Sequence, residues 1–168
     1  MRSAAAFAAI FLALAAQTTL SRYVFRSSTP IDLVLIAVVY VGMKSGPVTG
    51  VMAGTVAGLI QDALAGGILG IGGLSKTVIG FLSGVLGTQF IVTAPLPRFL
   101  LLLMATALHA AIFMGLYSLL DLRQFPSGYS SIVGQAFGNA FVGVIAFQMV
   151  EWFPGFVDRR RAGRFLRR

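Results

Sequence analysis

Apolar residues fill this chain in long runs, broken at short intervals by Gly, Pro and isolated charges. Six runs stand out: Ala4 to Leu20, Ile31 to Met43, Gly46 to Leu64, Ile71 to Phe90, Arg98 to Leu120 and Tyr129 to Phe153. A helix needs roughly 17–25 mostly apolar residues to cross a bilayer. Five runs fall in that range. The second, Ile31 to Met43, does not. At a rise of about 1.5 Å per residue it covers only some 20 Å, so it must thin the bilayer, extend by its flanks or stop short. Pro30, Pro47, Pro95, Pro97 and Pro126 lie at or near the starts of runs, where a missing N–H does least harm. The pattern predicts an all-α integral membrane protein, a bundle of about six transmembrane helices. Residues 1–168 form a single polytopic domain in this reading, with a basic cytoplasmic tail over 154–168. A signal peptide is the competing reading of the first run, which has Arg2 before it and an Ala13-Leu14-Ala15 triplet within it. The run is long for a signal core, and other spans follow directly.

Composition agrees with the pattern. The chain is 57% hydrophobic and 11% charged, where a soluble domain carries about a quarter charged residues. Its mean hydropathy is +0.89. Its 168 residues leave no room for a separate soluble enzyme domain. There is no Cys, hence no disulfide or thiol chemistry, and the single His, His109, excludes a His-cluster metal site. The formal charge of +8 is concentrated at the C-terminus. A basic tail beside a span points to anionic lipid rather than nucleic acid.

Lys and Arg counts set the orientation. With six spans both termini share one side, which holds Arg2, Lys44, Arg98 and the tail residues Arg159, Arg160, Arg161, Arg164, Arg167 and Arg168. The other side holds Arg22, Arg26 and Arg123. The positive-inside rule therefore places both termini in the cytoplasm. Asp32, Asp62 and Asp121 then gather at the outer face, with Lys76 about one and a half turns below it. Glu151 and Asp158 remain near the inner face.

An unpaired charge in a span is costly, roughly 2.5–3.5 kcal/mol on insertion scales. Asp62 and Lys76 bracket the glycine-rich turn in QDALAGGILGIGGLSKT and are expected to pair across it. Asp32, Asp62, Lys76, Gln135 and Asn139 are the candidate polar cluster of the outer face. Gln135 and Asn139 stand four apart on one helix face, and Gln17 and Thr18 sit near the outer end of the first run. These groups either line an outward cleft or satisfy one another as interhelical hydrogen bonds. His109 lies mid-span, with no second titratable group expected at its depth.

Small residues mark helix contacts. Gly46, Gly50, Gly54 and Gly58 recur every four residues on the third run, and Ala5, Ala9 and Ala13 do so on the first. Gly80 and Gly84, and Gly134 and Gly138, repeat the spacing. In lipid such faces let backbones approach closely. The spacing is compatible with packing inside the bundle and with docking of a partner's span. No catalytic constellation is present. GGILGIGG lacks the strand and the Gly-Lys-Ser/Thr ending of a phosphate loop, and adjacent Ser75 and Lys76 point about 100° apart on a helix. No enzyme activity, cofactor or metal is expected.

Several blocks together resemble the rod shape-determining protein MreD family, over nearly the whole chain. They are IDLVLIAVVYVGMKSGPVTG, the third run ending GLIQDALAGG, and LGIGGLSKTVIGFLSG. Within them Gly46-Pro47, Asp62, Leu69-Gly70 and Lys76 to Gly80 carry the match. The resemblance implies a member of the bacterial rod (elongation) complex in the inner membrane. Its partners would be the bitopic MreC, the MreB filament, and a RodA-type glycosyltransferase with its penicillin-binding transpeptidase. It also implies an architecture similar to the substrate-binding components of energy-coupling-factor transporters. The expected function is a scaffold for cell shape and lateral peptidoglycan synthesis that binds a partner transmembrane helix. The alternative is the substrate-binding subunit of a vitamin-type transporter.

Overall fold

The structure, a computed structural model, describes residues 2–23, 31–90, 94–120 and 129–165, with side chains over 7–20, 31–90, 94–120 and 132–152. Among the described residues it is all-helical. The helices are α1 (Arg2–Tyr23), α2 (Leu33–Ser45), α3 (Pro47–Ala65), α4 (Ile71–Gln89), α5 (Pro95–Leu119) and α6 (Tyr129–Phe165). Among the described residues four stretches are long and apolar enough to cross a membrane: Pro47–Ala65, Ile71–Gln89, Pro95–Leu119 and Ile132–Trp152. Their outward faces carry Met52, Phe81, Met104, Phe141 and Met149, all exposed, as lipid-facing surfaces require.

The shortest helix is the centre of the bundle. α2 has 13 residues and touches all five other helices. Val34, Leu35, Ile36, Val38, Val39 and Val41 are buried on every side of it, the mark of a helix sheathed by protein. This removes the length problem posed by the second run. A helix about 20 Å long need not match the bilayer when its neighbours face the lipid. Ile79 of α4, Leu102 of α5, and Ala140 and Phe147 of α6 close one side of the core; Ile10 and Leu14 of α1 and Ala53 and Ala57 of α3 close the other.

The glycine stripe is spent inside the bundle. A Cβ on Gly50 would strike the Gly80 carbonyl, and one on Gly54 the Lys76 carbonyl. On Gly58 it would lie 2.6 Å from Gly73 Cα. α3 and α4 therefore meet backbone to backbone, which is how small residues drive association in lipid. The hydroxyls of Thr55 and Thr77 join across the same seam at 2.7 Å. Gly46 departs from the expected stripe. It sits between α2 and α3 at φ +91, with nothing within 4 Å of its own Cβ position, so its glycine is required by the turn, although its backbone abuts Gly84 of α4. Gly134 likewise faces open space.

α6 runs farther than the apolar pattern predicts. Its 37 residues continue through Pro154 to Phe165, so most of the predicted tail is helix. One interior proline costs about 3 kcal/mol, and the arginines and alanine beyond it are good helix formers. At about 56 Å the helix exceeds the roughly 30 Å of a hydrocarbon core.

Candidate functional site

A short helix ending inside a membrane bundle must find partners for its first N–H groups without water. The start of α2 does this with side chains from two helices and its own cap. Asp32 Oδ1 accepts from the Leu35 N–H at 3.0 Å. Gln17 of α1 accepts from the Leu33 N–H at 2.9 Å and donates to the Ile31 carbonyl at 3.0 Å. Asn139 of α6 accepts from the Asp32 N–H at 2.7 Å and donates to Thr106 Oγ1 of α5 at 3.1 Å. Thr106 donates in turn to the Leu102 carbonyl at 2.8 Å. Asn139 and Thr106 are almost wholly buried.

The lysine completes this network. Lys76 Nζ lies 2.9 Å from Asp32 Oδ2, and both side chains are buried. This corrects the expected pairing of Lys76 with Asp62. Asp62 instead accepts from the Gly70 and Gly73 N–H groups, at 2.9 and 3.1 Å, and so caps the start of α4. Those N–H groups are orphans at a helix start, where the dipole also favours a carboxylate. The seat exists because Gly70 adopts φ +106 and because a side chain on Gly72 would collide with the carboxylate. Sequence proximity favoured Asp62; the fold brings Asp32 across from another helix.

Asp32, Gln61, Asp62, Lys76, His109 and Gln135 line one cavity of about 310 Å³, walled on its apolar side by Phe113, Met114 and Tyr117. Four of the five predicted cluster residues thus share a cavity, and Asn139 braces it through Asp32. His109 corrects a second expectation, for it does have a titratable neighbour. Its Nε2 is 3.9 Å from Asp32 Oδ2. The carboxylate reaches that depth because it caps a helix that begins inside the bundle. Thr18 stays outside the cluster, bonding carbonyls of its own helix. Ser75 is buried and donates to the Gly72 carbonyl at 3.0 Å, turned away from any dyad with Lys76.

A second ion cluster lies at the other end of α2, and the sequence reading did not assemble it. Glu151 of α6 receives Lys44 of α2 and Arg98 of α5, each at 2.7 Å. Arg98 is buried and lies over the Phe147 ring, 5.6 Å from its centroid. The one available signal was that Lys44, Arg98 and Glu151 had been placed on the same side of the membrane. Gln61 and Thr106 were also missed, since neither is unusual in sequence.

Ala9 and Ala13 of α1 are half-buried and line an apolar groove of about 680 Å³ between α1, α2 and α6. Ala37, Tyr40, Ala146 and Phe147 form its floor and far wall, and Lys44 stands at one end. The residues Arg26, Asp121, Arg123, Arg167 and Arg168, and the side chains of Arg2, Ala5, Arg22, Asp158, Arg159, Arg160, Arg161 and Arg164 lie outside what the structure describes. Among the described residues no group of His, Asp or Glu is placed to hold a metal ion.

These features define a helical membrane protein whose polar residues turn inward on one another. The family model of the rod shape-determining protein MreD matches residues 2–159, and the chain belongs to that family. It is a cell-shape protein of the rod system. No curated protein and no solved structure matches it, so the likeness to energy-coupling-factor components stays an implication of the resemblance alone.

Proposed function

We infer that the chain is a non-catalytic scaffold of the rod complex in the bacterial inner membrane, holding the transmembrane helix of an MreC-like bitopic partner. The observation that carries this reading is the groove between α1, α2 and α6. It is apolar, open on the outside of the bundle, and lined by the small residues Ala9, Ala13, Ala37 and Ala146. Small residues on both walls let a helix backbone approach closely. Lys44, paired with Glu151, marks one end of the groove. Through the partner the scaffold joins the MreB filament to the RodA-type glycosyltransferase and its transpeptidase. The buried network at the start of α2 and the Lys44–Glu151–Arg98 cluster at its other end hold that helix, the groove floor, in one position.

The whole chain acts as one polytopic domain in this account, with both termini cytoplasmic. The C-terminal part of α6, with Arg159, Arg160, Arg161 and Arg164, lies at the inner leaflet. Each basic residue there contributes about 1 kcal/mol of attraction to anionic lipid. The test is to fill the groove. Ala9→Leu with Ala13→Leu should leave the protein abundant in the membrane, abolish co-purification with the MreC-like protein, and round rod cells. Unchanged co-purification contradicts the groove as the docking site.

A further inference from the structure

The cavity between α3, α4, α5 and α6 leaves buried acceptor atoms unused. Gln61 directs Nε2 toward Asp32 Oδ1 at 3.5 Å. Reversing the amide would set two oxygens face to face, so the orientation is fixed by the carboxylate. Its Oε1 is then buried and without a partner. His109 is 7% exposed and turns Nε2 toward Asp32, which leaves Nδ1 buried and without a partner. Both residues line the cavity, and buried acceptors ask for donors.

The charges in the cavity are already answered. Asp32 faces Lys76, and Asp62 faces two backbone N–H groups. Nothing is left over to select an ion. Part of the cavity wall is apolar and aromatic: Phe113 and Tyr117 line it and stack on each other, with centroids 4.9 Å apart and 30° between planes. A group that donates hydrogen bonds and also offers a C–H face fits both features.

We propose that this cavity binds a neutral polyhydroxyl group, a polyol or sugar. Gln61 Oε1 and His109 Nδ1 accept from its hydroxyls as those two side chains turn into the cavity, and its C–H face lies against Phe113 and Tyr117. The group arrives either as a free solute or as the headgroup of a lipid. The site does not depend on the scaffold reading.

His109 is the sole histidine of the chain, so ¹⁵N-histidine labelling gives one reporter at the site. The full chain is placed in nanodiscs of phosphatidylcholine, whose headgroup has no donor. Glycerol and methyl glucoside are titrated separately. The expected result is a saturable shift of the Nδ1 resonance with at least one of them. A matching shift in phosphatidylglycerol nanodiscs without additive assigns the lipid as the source; its absence there assigns the free solute. Gln61→Leu should weaken binding tenfold or more, and Phe113→Ala serves where Gln61→Leu lowers the folded yield. No saturable shift in any of these settings overturns the proposal. So does a response to ethylammonium alone, or an unchanged titration in both variants.

Discussion

The Asp32–Lys76 pair bears the largest energetic prediction. Replacing Lys76 by Met leaves a buried carboxylate with its cation gone. At 2.9 Å and an effective dielectric of about 20, the gross attraction is about 6 kcal/mol. Desolvation of both groups offsets much of that, and truncating one partner of a buried pair costs about 3–5 kcal/mol. Asp32→Asn keeps an oxygen for the Leu35 N–H and strands the ammonium instead, so its cost should be similar. The double variant strands neither charge and should cost about 1–2 kcal/mol, roughly the hydrogen bonds lost. The two sites should therefore couple by several kcal/mol in a double-mutant cycle, measured as unfolding free energy in lipid by steric trapping. Asp62→Asn with Lys76→Met should be nearly additive, within about 1 kcal/mol, because Asp62 caps α4. Strong coupling at Asp62 and none at Asp32 would refute the assignment.

Further outcomes follow from the same geometry. Asn139→Leu removes the acceptor of the Asp32 N–H and the donor to Thr106 together, and should destabilise the fold by about 2–4 kcal/mol in the same unfolding assay. Gly54→Leu forces a side chain into the α4 backbone and should cost more than the 1–3 kcal/mol of ordinary overpacking, read as loss of membrane-inserted protein in a pulse-chase. Glu151→Leu removes the carboxylate that faces buried Arg98 and should lower thermal stability clearly, whereas Lys44→Met, at an exposed pair, should cost at most about 1 kcal/mol. A cysteine at Gly67, in the exposed α3–α4 turn, should label from outside intact cells, and one at Arg164 should not.

The apolar runs made the helices legible, because lipid forces each span to be long and apolar. Their starts at Ile71 and near Pro47 were readable from the glycines and the proline that begin them. The centrality of α2 was not readable. Its shortness looked like a weakness, and only the packing of five neighbours turns it into a core position. The same fact hid part of the site. Asp32 read as one member of an outer-face polar cluster that opens a span, while its place capping a buried helix pairs it with Lys76 and brings it to His109 and Asn139. Asp62 and Lys76 were picked out correctly as unusual, yet 14 positions apart they look like partners only until the Gly70 and Gly73 N–H groups are counted. The glycine stripe was visible as a helix contact. Which helix it met needed the backbone of α4.

The central claim is that the groove between α1, α2 and α6 holds a partner's transmembrane helix. A photo-crosslinking amino acid at Leu12, on the rim of the groove, tests it most directly in living rod-shaped cells, with Met104 on the exposed face of α5 as the comparison site. The account predicts a strong adduct with the MreC-like protein from Leu12 and none from Met104, and loss of the Leu12 adduct when Ala13→Leu is added. An adduct from Met104 without one from Leu12 would contradict it.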